Sequence, residues 1–274
     1  VAALGLAVRT FSEKGEGVII QPPVYFPFSN AIKSNDRVIV ENPLIFEDGK
    51  YRIDFEDFEK KASRDDVHLF IMCSPHNPVG RVWKKDELCR IVDICNRNNV
   101  FIISDEIHND LIMPGNEHTV LATIAGLCCS NIFIPNEDMA EKFAVTSGRE
   151  GTRSIPYFSR YATIAAYNRA EPWVDALIEA VNENFLYLYD FIDTKLPMLH
   201  AIRAEGTYLA WIDMRALGLS EEELEKLMLK NYLALDEGYI FGTNGSGFER
   251  WNLALPKKLL ADALDRLYTA VSSL

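Results

Sequence analysis

The sequence has no uninterrupted apolar run of the roughly 18 to 20 residues that a membrane-crossing helix needs. Its opening stretch, VAALGLAVRTFSEKGEG, carries neither a basic flank nor a cleavage pattern, so no membrane partner and no secretory leader are expected. Positive charge is scarce: 28 Lys and Arg stand against 40 Asp and Glu, a net charge of −12. No basic stripe offsets that balance, and nucleic acid, whose phosphates would be repelled, is excluded as an expected partner. The five cysteines (Cys73, Cys89, Cys95, Cys128 and Cys129) form no CxxC pair. An odd number cannot all pair within one chain, which favours a reduced, cytoplasmic setting. Internal repeats and low-complexity segments are absent. So is a strand-GxGxxG-helix unit, and the three glycines between Gly242 and Gly247 read as a flexible loop.

What is present is a soluble, globular composition, 48% hydrophobic and 25% charged over 274 residues, enough for one large or two modest domains. Gly17 to Ile20, Val38 to Val40, Val67 to Cys73 and Val100 to Ile103 are continuous apolar runs, the pattern of buried strands. Between the last two, Lys84 to Arg97 places Leu88, Ile91, Val92 and Cys95 at helical spacing. A strand-helix-strand unit of this kind predicts a parallel sheet with a right-handed crossover. Trp173 to Lys195 reads as one long helix with Pro172 in its first turn. Beyond it, Tyr208 to Ile212 reads as a strand, Ser220 to Glu223 as a capping box, and Leu260, Leu264, Leu267 and Val271 as the buried stripe of a last helix. The expected fold is therefore α/β: a three-layer sandwich around a mostly parallel central sheet over residues 1–172, then a smaller α+β domain over 173–274.

Five residues stand out chemically. Asp105 follows an apolar run, so its carboxylate belongs at the carboxyl end of a strand, able to pair with a cationic ring nitrogen; an acidic loop residue or helix cap fits as well. Asn77 lies in the turn Ser74 to Gly80, whose two prolines and glycine could aim its amide at a ring hydroxyl, or let it bond its own backbone. His108, three residues after Asp105, could reach the same ring edge or be structural. Tyr25 follows two prolines after the first strand and could stack on a flat heterocycle or simply pack. Arg250 has the planar fork that suits a carboxylate, though taken alone it reads first as a surface ion pair. His76, His108 and Asp105 match no close metal-ligand spacing.

The strings GEGVIIQPPVYFPF, MCSPHNPVGRVW, ISDEIHNDLI, AGLCCSNIFIPN, EGTYLAWIDMR and GFERWNLALP occur in fixed order over most of the chain. In that combination the sequence resembles the fold-type I pyridoxal-phosphate enzymes of the class I/II aminotransferase superfamily, and more closely their cystathionine β-lyase branch. The resemblance implies pyridoxal 5′-phosphate as cofactor. It implies that Tyr25 stacks on the ring, Asn77 and His108 address its phenolic oxygen, Asp105 pairs with its nitrogen, and Arg250 grips the substrate α-carboxylate. Histidine at 108, where classical aminotransferases carry tyrosine, favours the lyase. The implied activity is carbon-sulfur β-elimination on cystathionine or cysteine-type amino acids, giving a thiol, ammonia and a keto acid, in a cytoplasmic homodimer.

Two departures accompany the resemblance. The family places its Schiff-base lysine in an SKT-F-N segment just before AGL, but here Leu121 to Ile124 runs directly into Ala125. No lysine lies between Lys85 and Lys142, and Lys142 falls in what reads as an exposed helix start, so no catalytic lysine is assigned. Val1 enters midway through the helix whose first turn in the family holds the cofactor phosphate. An aminotransferase, or a lysine-less protein that binds the cofactor or an amino acid without turnover, are the alternatives.

Overall fold

The computed structural model describes residues 2–121, 132, 134, 136–150 and 161–274 with their side chains, and 125–126, 129–130 and 157–160 as backbone. Of the AGLCCSNIFIPN string, residues 127, 128, 131, 133 and 135 and the side chains of 125, 126, 129 and 130, Cys128 and the Cys129 side chain among them, lie outside the described residues.

In chain order the first half comprises α1 (Ala2–Phe11), β1 (Gly17–Ile20), α2 (Pro27–Lys33), β2 (Val38–Glu41), the hairpin of β3 (Ile45–Glu47) and β4 (Lys50–Arg52), α3 (Phe55–Ala62), β5 (Val67–Cys73), α4 (Lys85–Arg97) and β6 (Phe101–Asp105). Four of these strands form one sheet in the order β2-β1-β5-β6, every pair parallel. The apolar runs are unbroken because both faces are covered. Ile19, Phe70 and Met72 point into a core with Phe58 of α3 and Leu88, Ile91 and Ile94 of α4. Val18, Ile20, Leu69 and Ile71 point the other way, against Leu4 and Val8 of α1 and Phe28 and Ile32 of α2. Helices on both faces of a parallel sheet make the expected three layers.

Local signals set the helix ends. The Asp54 carboxylate accepts from the Asp57 N–H at 3.0 Å to open α3, and the Lys84 N–H donates to Glu87 at 2.9 Å to open α4. Two strands are less buried than their sequences suggest. β2 is an edge strand with Val38 48% exposed, and β6, the other edge among the described residues, is only half-buried. An apolar run tells how hydrophobic a strand is but not its rank in the sheet.

The second half continues with the short backbone pair β7 (Ala125–Gly126) and β8 (Cys129–Ser130), then α5 (Glu137–Arg149), α6 (Tyr157–Arg169), α7 (Glu171–Lys195), β9 (His200–Ala201), β10 (Leu209–Asp213), α8 (Glu221–Lys230), β11 (Asp236–Glu237), β12 (Phe248–Asn252) and α9 (Lys257–Ser272). An antiparallel sheet in the order β11-β12-β10-β9 packs with α7, α8 and α9 around Phe185, Leu188, Ile192, Leu224, Leu260, Leu264 and Leu267. The capping box forms as read: Ser220 Oγ accepts from the Glu223 N–H at 3.3 Å, and the Ser220 N–H donates to the Glu223 carboxylate at 2.9 Å. Arg250 lies in the middle of β12, and the strand predicted from Tyr208 begins at Leu209. The loop read as flexible is tightly built instead. The Gly245 N–H donates to the Gly242 carbonyl at 3.0 Å, and a Cβ on Gly238 would stand 2.0 Å from the Gly245 carbonyl oxygen, leaving no room for a side chain.

The two sheets share side chains. Trp211 of β10, Phe248 of β12 and Phe241 before it belong to the same core as β5 and α4, and Trp211 stacks on Phe248 at 5.1 Å between ring centroids. Arg81 adds a polar clamp, donating to Glu87 at 2.8 Å, to Glu205 at 3.0 Å and to the Tyr51 carbonyl.

Candidate active site

The carboxyl ends of β1, β5 and β6 each run into one of the segments that carry the candidate residues, the place where open parallel sheets hold ligands. Asp105 is the last residue of β6, as expected. Its Oδ1 accepts from the Ile107 N–H at 3.2 Å, while burial raises its pKa, with the Glu106 carboxylate adding to the rise. A desolvated carboxylate of this kind is stabilised by an arriving cation.

Asn77 is buried in the turn after β5. That turn is braced from both sides: the His76 N–H donates to the Arg81 carbonyl at 2.8 Å, and the Gly80 carbonyl accepts from the Glu205 and Gly206 N–H groups at 2.8 and 3.1 Å. Gly80 has φ +71° and sits against Ala204, so only glycine fits there without strain. The Asn77 amide oxygen accepts from Arg250 Nη1 at 3.0 Å, which leaves its NH₂ group to donate elsewhere. Asn77 therefore does more than complete its own turn.

His108 is 7% exposed, and its pKa is lowered to about 4 by burial, with the Arg250 charge helping. It is thus a neutral imidazole near pH 7, able to donate one hydrogen bond without carrying charge. Tyr25, half-buried before α2, has its phenol pKa raised by burial and by Asp105, and opposed by Arg250. The Tyr25 phenol thus feels the charges of Asp105 and Arg250, and His108 that of Arg250, which is itself bonded to Asn77. Arg250, on β12, is not the surface ion pair that its sequence context allows: its side chain is 13% exposed, over the Phe241 ring at 4.9 Å, and paired with Asp236 at 2.6 Å.

Three neighbours went unread as site residues. Tyr208 sets its ring against His108, at 5.6 Å between centroids and 73°. It follows Thr207, a buried β-branched residue at φ +73°, a conformation such residues rarely adopt. The Thr207 Oγ1 accepts from the Leu209 N–H at 3.1 Å and the Thr207 N–H donates to the Leu111 carbonyl at 2.7 Å, so the kink is held from two directions. Tyr208 lies inside one of the strings that carry the resemblance, a signal that was within reach. Buried Cys73 lies inside another of those strings, whereas Asp236 had no such signal, because its role depends on cross-strand register. The Cys73 thiol pKa is raised by burial and by Asp105.

Every lysine lies among the described residues, and none is among the groups whose charge perturbs Tyr25, Asp105 or His108. Lys142 is exposed on α5, away from this role, as its sequence context implied. Among the described residues no group of acids, histidines or cysteines could hold a metal ion, and no helix is long and apolar enough to cross a membrane.

A three-layer α/β sandwich with an acid, an amide and a neutral imidazole at its strand ends, facing an arginine from an α+β unit, is the architecture of a fold-type I pyridoxal-phosphate enzyme. The aminotransferase class I and II family model matches residues 1–134. Cystathionine beta-lyase PatB of Bacillus subtilis (strain 168) is 39% identical, with 99% of this chain and 76% of the relative covered. Cystalysin from Treponema denticola, which contains pyridoxal 5′-phosphate, superposes with a TM-score of 0.94 at 41% identity, covering 99% of this chain and 74% of that one. The PLP-bound C-S lyase from Staphylococcus hominis gives 0.91 at 32% identity, covering 98% and 74%. The chain belongs to the aminotransferase class I and II family, and within it resembles the carbon-sulfur lyase branch. The alignment with PatB runs over 293 positions, more than the 274 residues of this chain, so the relative carries residues with no counterpart here.

Proposed function

We propose that this protein is a pyridoxal-phosphate-dependent carbon-sulfur β-lyase acting on cystathionine or cysteine-type amino acids. The observation that carries the reading is the convergence of Asp105, Asn77, His108, Tyr25 and Arg250 at the strand ends of a fold shared with PLP-bound lyases. These residues fit the cofactor ring. Asp105 would pair with the ring nitrogen and keep it protonated. Asn77 through its free NH₂, and neutral His108 through one ring N–H, would donate to the phenolic oxygen, and Tyr25 would cover one ring face. Arg250 would take the substrate α-carboxylate, its reach fixed by Asn77 and Asp236. When bound, the cofactor supplies an electron sink for the charge left at the α-carbon as the α-proton departs and the β-sulfur leaves.

The remaining parts of the reading are a cytoplasmic homodimer with domains at 1–172 and 173–274. Cys73, Cys89 and Cys95 are free thiols, which suits a reducing compartment. The test is incubation of the protein with pyridoxal phosphate and L-cystathionine, without an added keto acid. Equal thiol and keto acid support the lyase; keto acid formed only with an added acceptor supports an aminotransferase.

The absence of a lysine at the site favours one second reading, a non-catalytic binder of the cofactor or an amino acid. Borohydride reduction of the loaded protein, followed by peptide mapping, separates the two. An adduct on a lysine supports the lyase, and reversible binding with no adduct supports the binder.

A further inference from the structure

We propose that Asp236 is the positioning residue of the carboxylate-binding arginine: it holds the Arg250 guanidinium by one edge, so that two terminal N–H groups stay presented to a substrate carboxylate. This rests on the reading of Arg250 given above.

A guanidinium has five N–H groups and no acceptor. Arg250 Nε and Nη2 both donate to Oδ2 of Asp236, at 3.2 and 2.6 Å, and Nη1 donates to Oδ1 of Asn77 at 3.0 Å. One N–H remains on each terminal nitrogen, and a carboxylate held in a two-point grip needs two donors. The Phe241 ring, 4.9 Å from the guanidinium carbon, fixes the plane from one side, and Asp236 fixes the rotation within that plane.

The backbone sets up this contact. Asp236 and Arg250 are direct cross-strand partners in the β11-β12 register, which brings two residues 14 apart in sequence onto one face. The exposures differ in a telling way: the Asp236 side chain is 48% exposed and that of Arg250 13%. Water screens the Asp236 charge, so its attraction adds little net binding energy, whereas its geometric hold on a long side chain persists. Without Asp236 the arginine keeps Phe241 and Asn77 but regains rotation that the ligand must then freeze.

The test measures binding to the full chain loaded with pyridoxal phosphate, by calorimetry. The probe is 2-methylalanine, which has an α-amino and an α-carboxylate group but no α-hydrogen to lose. Asp236→Ala is expected to weaken its binding roughly 3- to 10-fold, the cost of freezing one long side chain on binding. Asp236→Asn puts a neutral oxygen in the same place, able to accept the same two hydrogen bonds, and is expected to bind within about 2-fold of the unaltered protein. Asp236→Ala binding as tightly as the unaltered protein overturns the proposal, as does Asp236→Asn binding as weakly as Asp236→Ala. Arg250→Ala binding undiminished would instead overturn the assignment of Arg250 itself.

Discussion

Arg250 Nη1 donates to the Asn77 amide oxygen at 3.0 Å across 173 residues of sequence, joining the antiparallel sheet to the turn after the parallel one. The hydrogen bond makes one unit of the residues proposed for the cofactor and for the substrate. Arg250→Ala should weaken binding of an α-carboxylate by about 2 kcal/mol, roughly 30-fold, because a charge-assisted two-point contact is lost. Arg250→Lys should recover little of it, since an ammonium cannot make the fork. Calorimetric titration of both variants with one amino acid checks this.

Asp105→Ala removes the counter-charge proposed for a protonated ring nitrogen. Cofactor affinity should fall roughly 10-fold or more, and exchange of the substrate α-proton with deuterium should be suppressed further still. Equilibrium dialysis measures the first and proton NMR in deuterated buffer the second. Full exchange in the variant would remove Asp105 from the ring nitrogen.

Glu249, beside Arg250 on β12 but turned to the other side, is 1% exposed with an unpartnered Oε2. Burial first, then the charges of Glu237, Glu225 and Asp236, push its pKa up to about 8. Because the folded pKa lies above the unfolded one, the native state binds the extra proton, and stability declines as pH rises from about 4.5 to about 8, then levels off. Glu249→Gln removes that decline. Its advantage in melting temperature over the unaltered protein should widen between pH 5 and pH 8, reaching a value equivalent to about 3 kcal/mol. A gap that does not change with pH would refute the titration.

Arg81 is the clamp between the Asn77 turn and the loop before Tyr208. Replacing it with alanine leaves the half-buried Glu87 and Glu205 carboxylates without the cation they share. Stability should fall by about 2 to 4 kcal/mol. Chemical denaturation measures this, and Arg81→Lys should restore only part of it.

How much of this was legible in the sequence depends on the range of the interaction. The parallel sheet, the capping box at Ser220 and the buried stripe of α9 were readable because hydrophobic period and capping are local. Asp105 was placed at its strand end for the same reason. The edge position of β2, the tight packing of Gly238 against Gly245, and the reach of Asp236 to Arg250 were not readable. Each is fixed by which distant segment lies alongside, and a two-residue strand such as β11 leaves no periodic trace. Arg250 looked like a surface residue because its sequence neighbours cannot show that Asn77 and Phe241 enclose it.

Trp211, Phe241 and Phe248 complete the core that β5 and α4 begin, so neither half of the chain encloses its own apolar surface. Unfolding should therefore be a single cooperative event with no stage in which one half stands alone. A fragment of residues 1–172 would present to water the apolar surface that these aromatics cover, and associate with itself.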